Sequence, residues 1–348
     1  MTRVRKSLGI ASLSVLAAAL LGACGEGDDV GRTAEETGRT NAQRQAEGAR
    51  EPTESRQEPK RYRAFVAIED EDRVAVLDGP PWRAIRTTPV PSGPHNVAAH
   101  PAGRRVAISS PPAGQVTILD SRGRVAARAS AGAGAHDVAF TPSGDALWVS
   151  AEDASRIVKL DASSGRQLRS RPASGPPHDL VVSPDGRELW VTIDGSSAVD
   201  VRLAASGDLL ARPVLGAAPH DLEIEPDGDR VWFSNWSSPI LTVASVRRRQ
   251  PLARLAAGTE PHHLALGRSW LWVTDNAAGE LLRIDSKSRA IRDRIRVGPA
   301  PHHVAVAGRH ALVAVHGSGE LAVVSPEGRL VRRIDVGAGP HGVAVLER

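Results

Sequence analysis

From Tyr62 onward, apolar and polar residues alternate with a period of two, in short runs broken by Gly, Pro, Asp and Ser. A representative stretch runs His178-Asp-Leu-Val-Val, Ser183-Pro-Asp-Gly186, Leu189-Trp-Val-Thr-Ile193, Ser197-Ala-Val-Asp-Val-Arg-Leu203 and Gly207-Asp-Leu-Leu-Ala-Arg-Pro-Val214. Alternation over about five residues, bounded by turn formers, predicts β-strands joined by tight turns. Pro, Asp and Gly occupy the positions such turns favour. The unit recurs. A histidine, usually after proline, starts each copy: His95-Asn-Val-Ala, His136-Asp-Val-Ala, His178-Asp-Leu-Val, His220-Asp-Leu-Glu, His262-His-Leu-Ala, His302-His-Val-Ala and His341-Gly-Val-Ala. Successive histidines are 41, 42, 42, 42, 40 and 39 residues apart. At that period each repeat is one supersecondary unit that buries its apolar faces only by stacking on neighbours.

Four short strands per repeat, named A to D in chain order, describe the blade of a propeller. Residues 62–94 hold B, C and D runs without an A strand, and His341-Gly-Val-Ala-Val-Leu-Glu-Arg348 is an A strand with nothing after it. Paired, they complete one blade. The expected fold is therefore an all-β, seven-bladed β-propeller of four-stranded blades over 62–348, closed by its C-terminal strand, which leaves only short protected edges.

The N-terminus departs from this pattern. Arg3, Arg5 and Lys6 precede an apolar run from Leu8 to Leu21, too short for a stable membrane span, followed by Leu21-Gly22-Ala23-Cys24. That tetrapeptide resembles a bacterial lipobox, which implies a signal peptide over 1–23 and lipidation of Cys24, the one cysteine in the chain. Residues 24–61 then form an expected disordered linker, with nine acids and six bases in 25–60 and no apolar periodicity. The expected location is extracytoplasmic, with the membrane as a partner through the lipid on Cys24. A formal charge of +4, from 44 basic and 40 acidic residues, falls to 41 against 40 once Arg3, Arg5 and Lys6 are removed. That balance gives no general attraction to nucleic acid.

Strand B carries a Trp at one register: Leu147-Trp-Val-Ser, Leu189-Trp-Val-Thr, Val231-Trp-Phe-Ser and Leu271-Trp-Val-Thr. Blade-to-blade packing is the expected role of these rings. With Ser-Pro-Asp-Gly and the Gly-x-x-Pro-His junction, the repeat resembles the YVTN-type propellers of bacterial proteins, with Trp where that family has Tyr. The resemblance covers 62–348 and implies a fold, not a function.

Chemistry gathers at one end of the strands. The seven histidines His95, His136, His178, His220, His262, His302 and His341 are expected to ring one mouth of the central channel. The ends of strand B bring Glu69, Asp70, Glu152, Asp153, Asp194, Asn235, Asp275, Asn276 and His316 to the same face. Imidazole and carboxylate together suit a divalent metal ion. The residue after each histidine is uneven, being Asn96, Asp137, Asp179, Asp221, His263, His303 and Gly342. With Glu260, Asp275 and His316, Asp221 and the two histidine doublets place the expected site off-centre, toward the blades that begin at His220, His262 and His302.

Two alternatives accompany the metal site. In WD-repeat propellers a histidine at the same crossover hydrogen-bonds within its blade, so a structural role is one. A ring that responds to pH is the other, because imidazole titrates near neutrality. Pro-His-x-Val/Leu with Pro-Asp-Gly and Leu-Trp-Val-Thr also resembles streptogramin B lyase, a metal-dependent propeller enzyme. That resemblance implies a His base beside Mg and a Glu, with His262, His302 and Glu260, and the doublet partners His263 and His303, as residues to examine. The His doublets resemble, in kind, the copper-cluster propeller of nitrous oxide reductase, but this chain has no Cys-bearing electron-entry domain. The absence of a Ser nucleophile motif, a phosphate loop or a Cys centre favours a monomeric binding module for a protein, cell-wall or small-molecule ligand, with enzyme activity left open and the metal-dependent lyase as the alternative.

Overall fold

The computed structural model describes residues 61–216, 218–235 and 238–348. The expected signal peptide, Cys24 and, apart from Arg61, the linker lie outside the described residues. Seven antiparallel sheets of four strands form a ring, each sheet one blade. Blade 1 begins at His95 and blade 7 at His341. The inner A strands are Val97–Ala99, Ala135–Phe140, Pro177–Val182, Pro219–Ile224, Pro261–Leu266, Pro301–Ala307 and Pro340–Glu347. The closure read from the sequence is present: Tyr62–Ile68 pairs with Pro340–Glu347 on one side and Arg73–Gly79 on the other, with Tyr62 opposite Glu347 and Val66 opposite Val343.

The core lies between the blades rather than within any one of them. Trp190, Val199 and Val201 of blade 3 pack on Leu222, Ile224 and Phe233 of blade 4, and Trp148 and Ile157 of blade 2 pack on Leu180 and Leu189 of blade 3. Trp148, Trp190, Trp232 and Trp272 are all buried, as blade-to-blade packing requires. Each blade hides its second face only against a neighbour, so an open array would expose two such faces.

A hydrogen-bond device repeats at the axis. The penultimate residue of strand B is Ser109, Ser150, Thr192, Ser234 and Thr274 in blades 1 to 5. In its own blade each hydroxyl accepts the N–H of the residue after the histidine: Asn96, Asp137, Asp179, Asp221 and His263. Each also donates to the carbonyl of the next blade's histidine, from His136 to His302. One hydroxyl thus fixes two inner strands. In blades 6 and 7 Ala314 and Ala67 take this place, and the closure leans instead on close packing, where a Cβ on Gly342 would meet the His95 carbonyl at 2.3 Å.

Inner strands do not run straight through the histidine. In blades 2 to 7 the register against strand B shifts by one residue there, as between Pro177, opposite Ile193, and Leu180, opposite Val191. Such a bulge re-aims side chains and turns the histidine and the residue after it toward the channel together. Blade 1 has only a three-residue A strand beyond this point.

The interblade hydroxyl yields a direct test. Thr192→Val keeps shape but removes both bonds, and the unfolding free energy should fall by about 1–3 kcal/mol, read from the denaturant midpoint. An unchanged midpoint would show that the bridge does not bind blade 3 to blade 4.

Candidate functional site

The seven histidines form a closed ring of imidazoles. Neighbouring ring centroids lie 4.5 Å apart from His95 to His136, 4.1 Å to His178, 4.2 Å to His220, 4.8 Å to His262, 4.8 Å to His302, 4.4 Å to His341 and 3.6 Å back to His95. Their contacts run around the ring. His220 Nε2 is 3.3 Å from His262 Nε2, and His302 Nδ1 is 2.8 Å from His341 Nε2. In blades 2 to 6 the bond to the preceding blade is made by the histidine's backbone carbonyl and not by its imidazole.

The bulge supplies a second layer beneath the first. Asp179, Asp221, His263 and His303 join the seven histidines around a cavity of about 170 Å³. The Asn96 amide donates to Asp137 at 2.8 Å and to Asp179 at 3.3 Å. Asp137 and Asp221 accept the backbone N–H groups of Leu180 and Leu264 in the next blades, while the His263 and His303 rings stack at 3.8 Å.

Burial sets the charge of this assembly. It pulls His220 down to about 3 and His263 and His302 to about 4, and holds His95, His262, His303 and His341 well below the usual imidazole value, with neighbouring imidazoles adding to the effect at most of these positions. Burial also raises Asp137 to about 7 and Asp221 well above the carboxylate range, and the Asp179 charge reinforces both. Burial opposes charge on Asp179 and His178 as well, yet their contact prevails. Their 3.3 Å approach holds Asp179 well below its usual value and lifts His178 to about 9. One ion pair therefore sits in a ring whose imidazoles at His95, His220, His262, His302 and His341 are held neutral, and a neutral imidazole has one nitrogen with a lone pair.

Among the described residues two groups bring ligand atoms within 4.8 Å of one another: Glu69 with His95 and His341, and His136 with His178 and Asp179. Both lie on an arc away from the expected off-centre position. Glu69 and His316 reach the mouth on short 3-10 turns, 3.7 Å apart. A hydrogen bond to Glu69 raises His316, whose ring stands 4.9 Å from that of His302. Asp275 is placed differently. Its carboxylate accepts the N–H groups of Thr259, Glu260 and Ala278 and so shapes the crossover before His262. Glu260 is not among the residues that line the cavity. The Asn235 amide nitrogen donates to the Ile240 carbonyl and to Thr242 Oγ1.

Sequence reasoning did not single out Asp179, the interblade hydroxyls or Glu223. The Ser or Thr after Trp-Val was a readable signal for the hydroxyls. Glu223 lies three residues beyond His220, where the other blades have Ala98, Ala139, Val181, Ala265, Ala305 and Ala344. Burial and then Asp221 push the Glu223 carboxyl up to about 8, against a backbone hydrogen bond from Leu266 of the next blade.

No family model and no curated protein matches this chain. Among solved structures it is similar to periplasmic gluconolactonase of Pseudomonas aeruginosa, at 18% identity and a TM-score of 0.69 over 82% of this chain and 99% of that one. Hydrazine synthase of Kuenenia stuttgartiensis matches at 16% identity and a TM-score of 0.66, over 74% of this chain and 96% of that chain. A protein of unknown function from Desulfotomaculum acetoxidans matches at 13% identity and a TM-score of 0.72, over 82% and 98%. These neighbours share the seven-bladed propeller, and at this identity the likeness is one of fold.

The charge pattern makes stability depend on pH. Unfolded histidines titrate near 6.5, above their folded values at His220, His263 and His302. As pH falls below about 6.5 the unfolded chain takes up protons first, and stability is lost. Asp137 and Asp221, already held protonated, offset part of this. His178 has the opposite sign: its contribution is full below about 6.5 and is lost as pH rises through about 9. Without added metal the Tm should fall from pH 7 to pH 5 and again as pH rises from 7 to 9. A Tm flat from pH 5 to 9 would contradict the charge assignment.

Proposed function

We propose that this chain is a membrane-tethered, extracytoplasmic propeller that binds a divalent transition-metal ion in its histidine ring and presents that face to a small ligand or partner. The observation that carries the reading is the closed ring of mostly neutral imidazoles around a 170 Å³ cavity. Among the described residues the buried Nδ1 atom of His341 makes no hydrogen bond there, a cost that coordination would remove. Two nitrogens about 2.0–2.1 Å from a tetrahedral ion lie roughly 3.3 Å apart. The His220 and His262 Nε2 atoms have that separation. Imidazole-rich sites favour zinc, copper or nickel over magnesium or calcium.

The tether rests on Leu21-Gly22-Ala23-Cys24, and the YVTN-type repeat supports a binding role without naming a ligand. The lyase reading draws less support. The cavity admits an ion or a molecule of a few heavy atoms rather than a cyclic peptide, and Glu260 stands outside it.

Metal analysis of the purified protein, after growth with mixed trace metals, tests the proposal. About one transition ion per chain is expected, with His341→Ala and His262→Ala each weakening its retention at least 10-fold while the Tm measured in chelator holds. Metal-free protein that also fails to bind added Zn²⁺, Cu²⁺ or Ni²⁺ would overturn it. Metal-dependent turnover abolished by His262→Ala would instead favour the lyase.

A further inference from the structure

The face opposite the histidines departs from sevenfold regularity. Strand A connects to strand B through five residues in each of blades 1 to 4, around Pro101-Ala-Gly103, Pro142-Ser-Gly144, Pro184-Asp-Gly186 and Pro226-Asp-Gly228. Blade 5 uses three residues, Gly267-Arg268-Ser269, and blade 6 uses two, Gly308-Arg309. In blade 7 the two strands come from opposite ends of the propeller and have no connecting turn at all. Three successive blades thus lack the turn that covers this face elsewhere, and a cavity of about 1120 Å³ opens over them.

Its lining has a definite chemistry. Trp82 and Trp270 lie outside the repeated Trp register and both line it, with Tyr62. Trp270 and His310 open strand B of blades 5 and 6, where blades 1 to 4 have Arg105, Ala146, Glu188 and Arg230. Arg283 stacks on Trp270 at 4.4 Å and is held by Asp293, so the indole is fixed in place. Arg268, Arg309 and Arg332 also line the cavity and are exposed. Among the described residues none of the three has a carboxylate within ion-pair distance, in contrast to Arg283 and to Arg333, which is held by Glu320. Glu347 is the one carboxylate in the lining. Flat aromatic walls beside guanidinium groups that have no ion-pair partner, with Glu327 acting on Arg309 only at longer range, complement a molecule with a flat aromatic body and an anionic edge.

We propose that this cavity is a second binding site, separate from the histidine ring, for a planar aromatic carboxylate. The aromatic body rests against Trp270 and Tyr62, and the carboxylate is held by Arg268 and Arg309, with Arg332 at the rim.

The test uses 1-pyrenebutyrate as the fluorescent probe and its neutral alcohol, 1-pyrenebutanol, as control. Saturable binding of one pyrenebutyrate per chain is expected, at least 10-fold tighter than the alcohol. Arg268→Ala with Arg309→Ala should weaken the acid at least 10-fold and leave the alcohol unchanged. The Arg side chains are exposed, so the Tm of the double variant should hold. His262→Ala should leave probe binding unaltered, which separates this site from the metal reading. Absence of saturable binding, or equal affinity for acid and alcohol in wild-type protein, would overturn the proposal.

Discussion

Seven inner strands converge on one axis, and the side chains at their entrance must share what space remains there. That constraint governs the rest. The interblade hydroxyls fix where each strand begins, and the bulge beside each histidine commits two successive side chains to the channel instead of one. Rings with centroids 3.6–4.8 Å apart cannot all carry charge away from water. Most therefore stay neutral, and the protonated state concentrates where Asp179 compensates it.

The overall plan was legible because it depends on period and alternation. A repeat of about forty residues, turn formers at fixed places and an unpaired A strand at the end lead to a closed ring without any knowledge of contacts. The site was legible only in part. The seven histidines were placed at one mouth because strand direction follows from connectivity. A bulge, however, leaves no clear mark in sequence, so the layer containing Asp179, Asp221, His263 and His303 could be listed but not located. Asp275 shows the same limit from the other side. Its residue type suits a ligand, but its oxygens are taken by the backbone of its own crossover, a use no spacing rule indicates.

Regularity and function divide along the chain. Where blades keep the consensus, side chains serve the stack: Trp190 fills an interface and Thr192 ties one. Departures mark the places with spare chemistry. Glu69, His316 and Asp179 break the symmetry of the histidine face, while the short turns at Gly267 and Gly308 open the opposite face, where Arg268 and Arg309 have no ion-pair partner among the described residues. From His136 to His302 the interblade hydroxyl bond goes to the histidine's backbone carbonyl and does not use the imidazole.

The central claim is that the imidazole ring is a metal site rather than a structural seal. Anomalous diffraction from crystals grown with Zn²⁺ tests it most directly. The account predicts a single strong anomalous peak inside the ring, about 2.0–2.1 Å from at least two imidazole nitrogens. Zinc confined to surface residues, with no anomalous signal inside a ring whose side chains are well ordered, would contradict it.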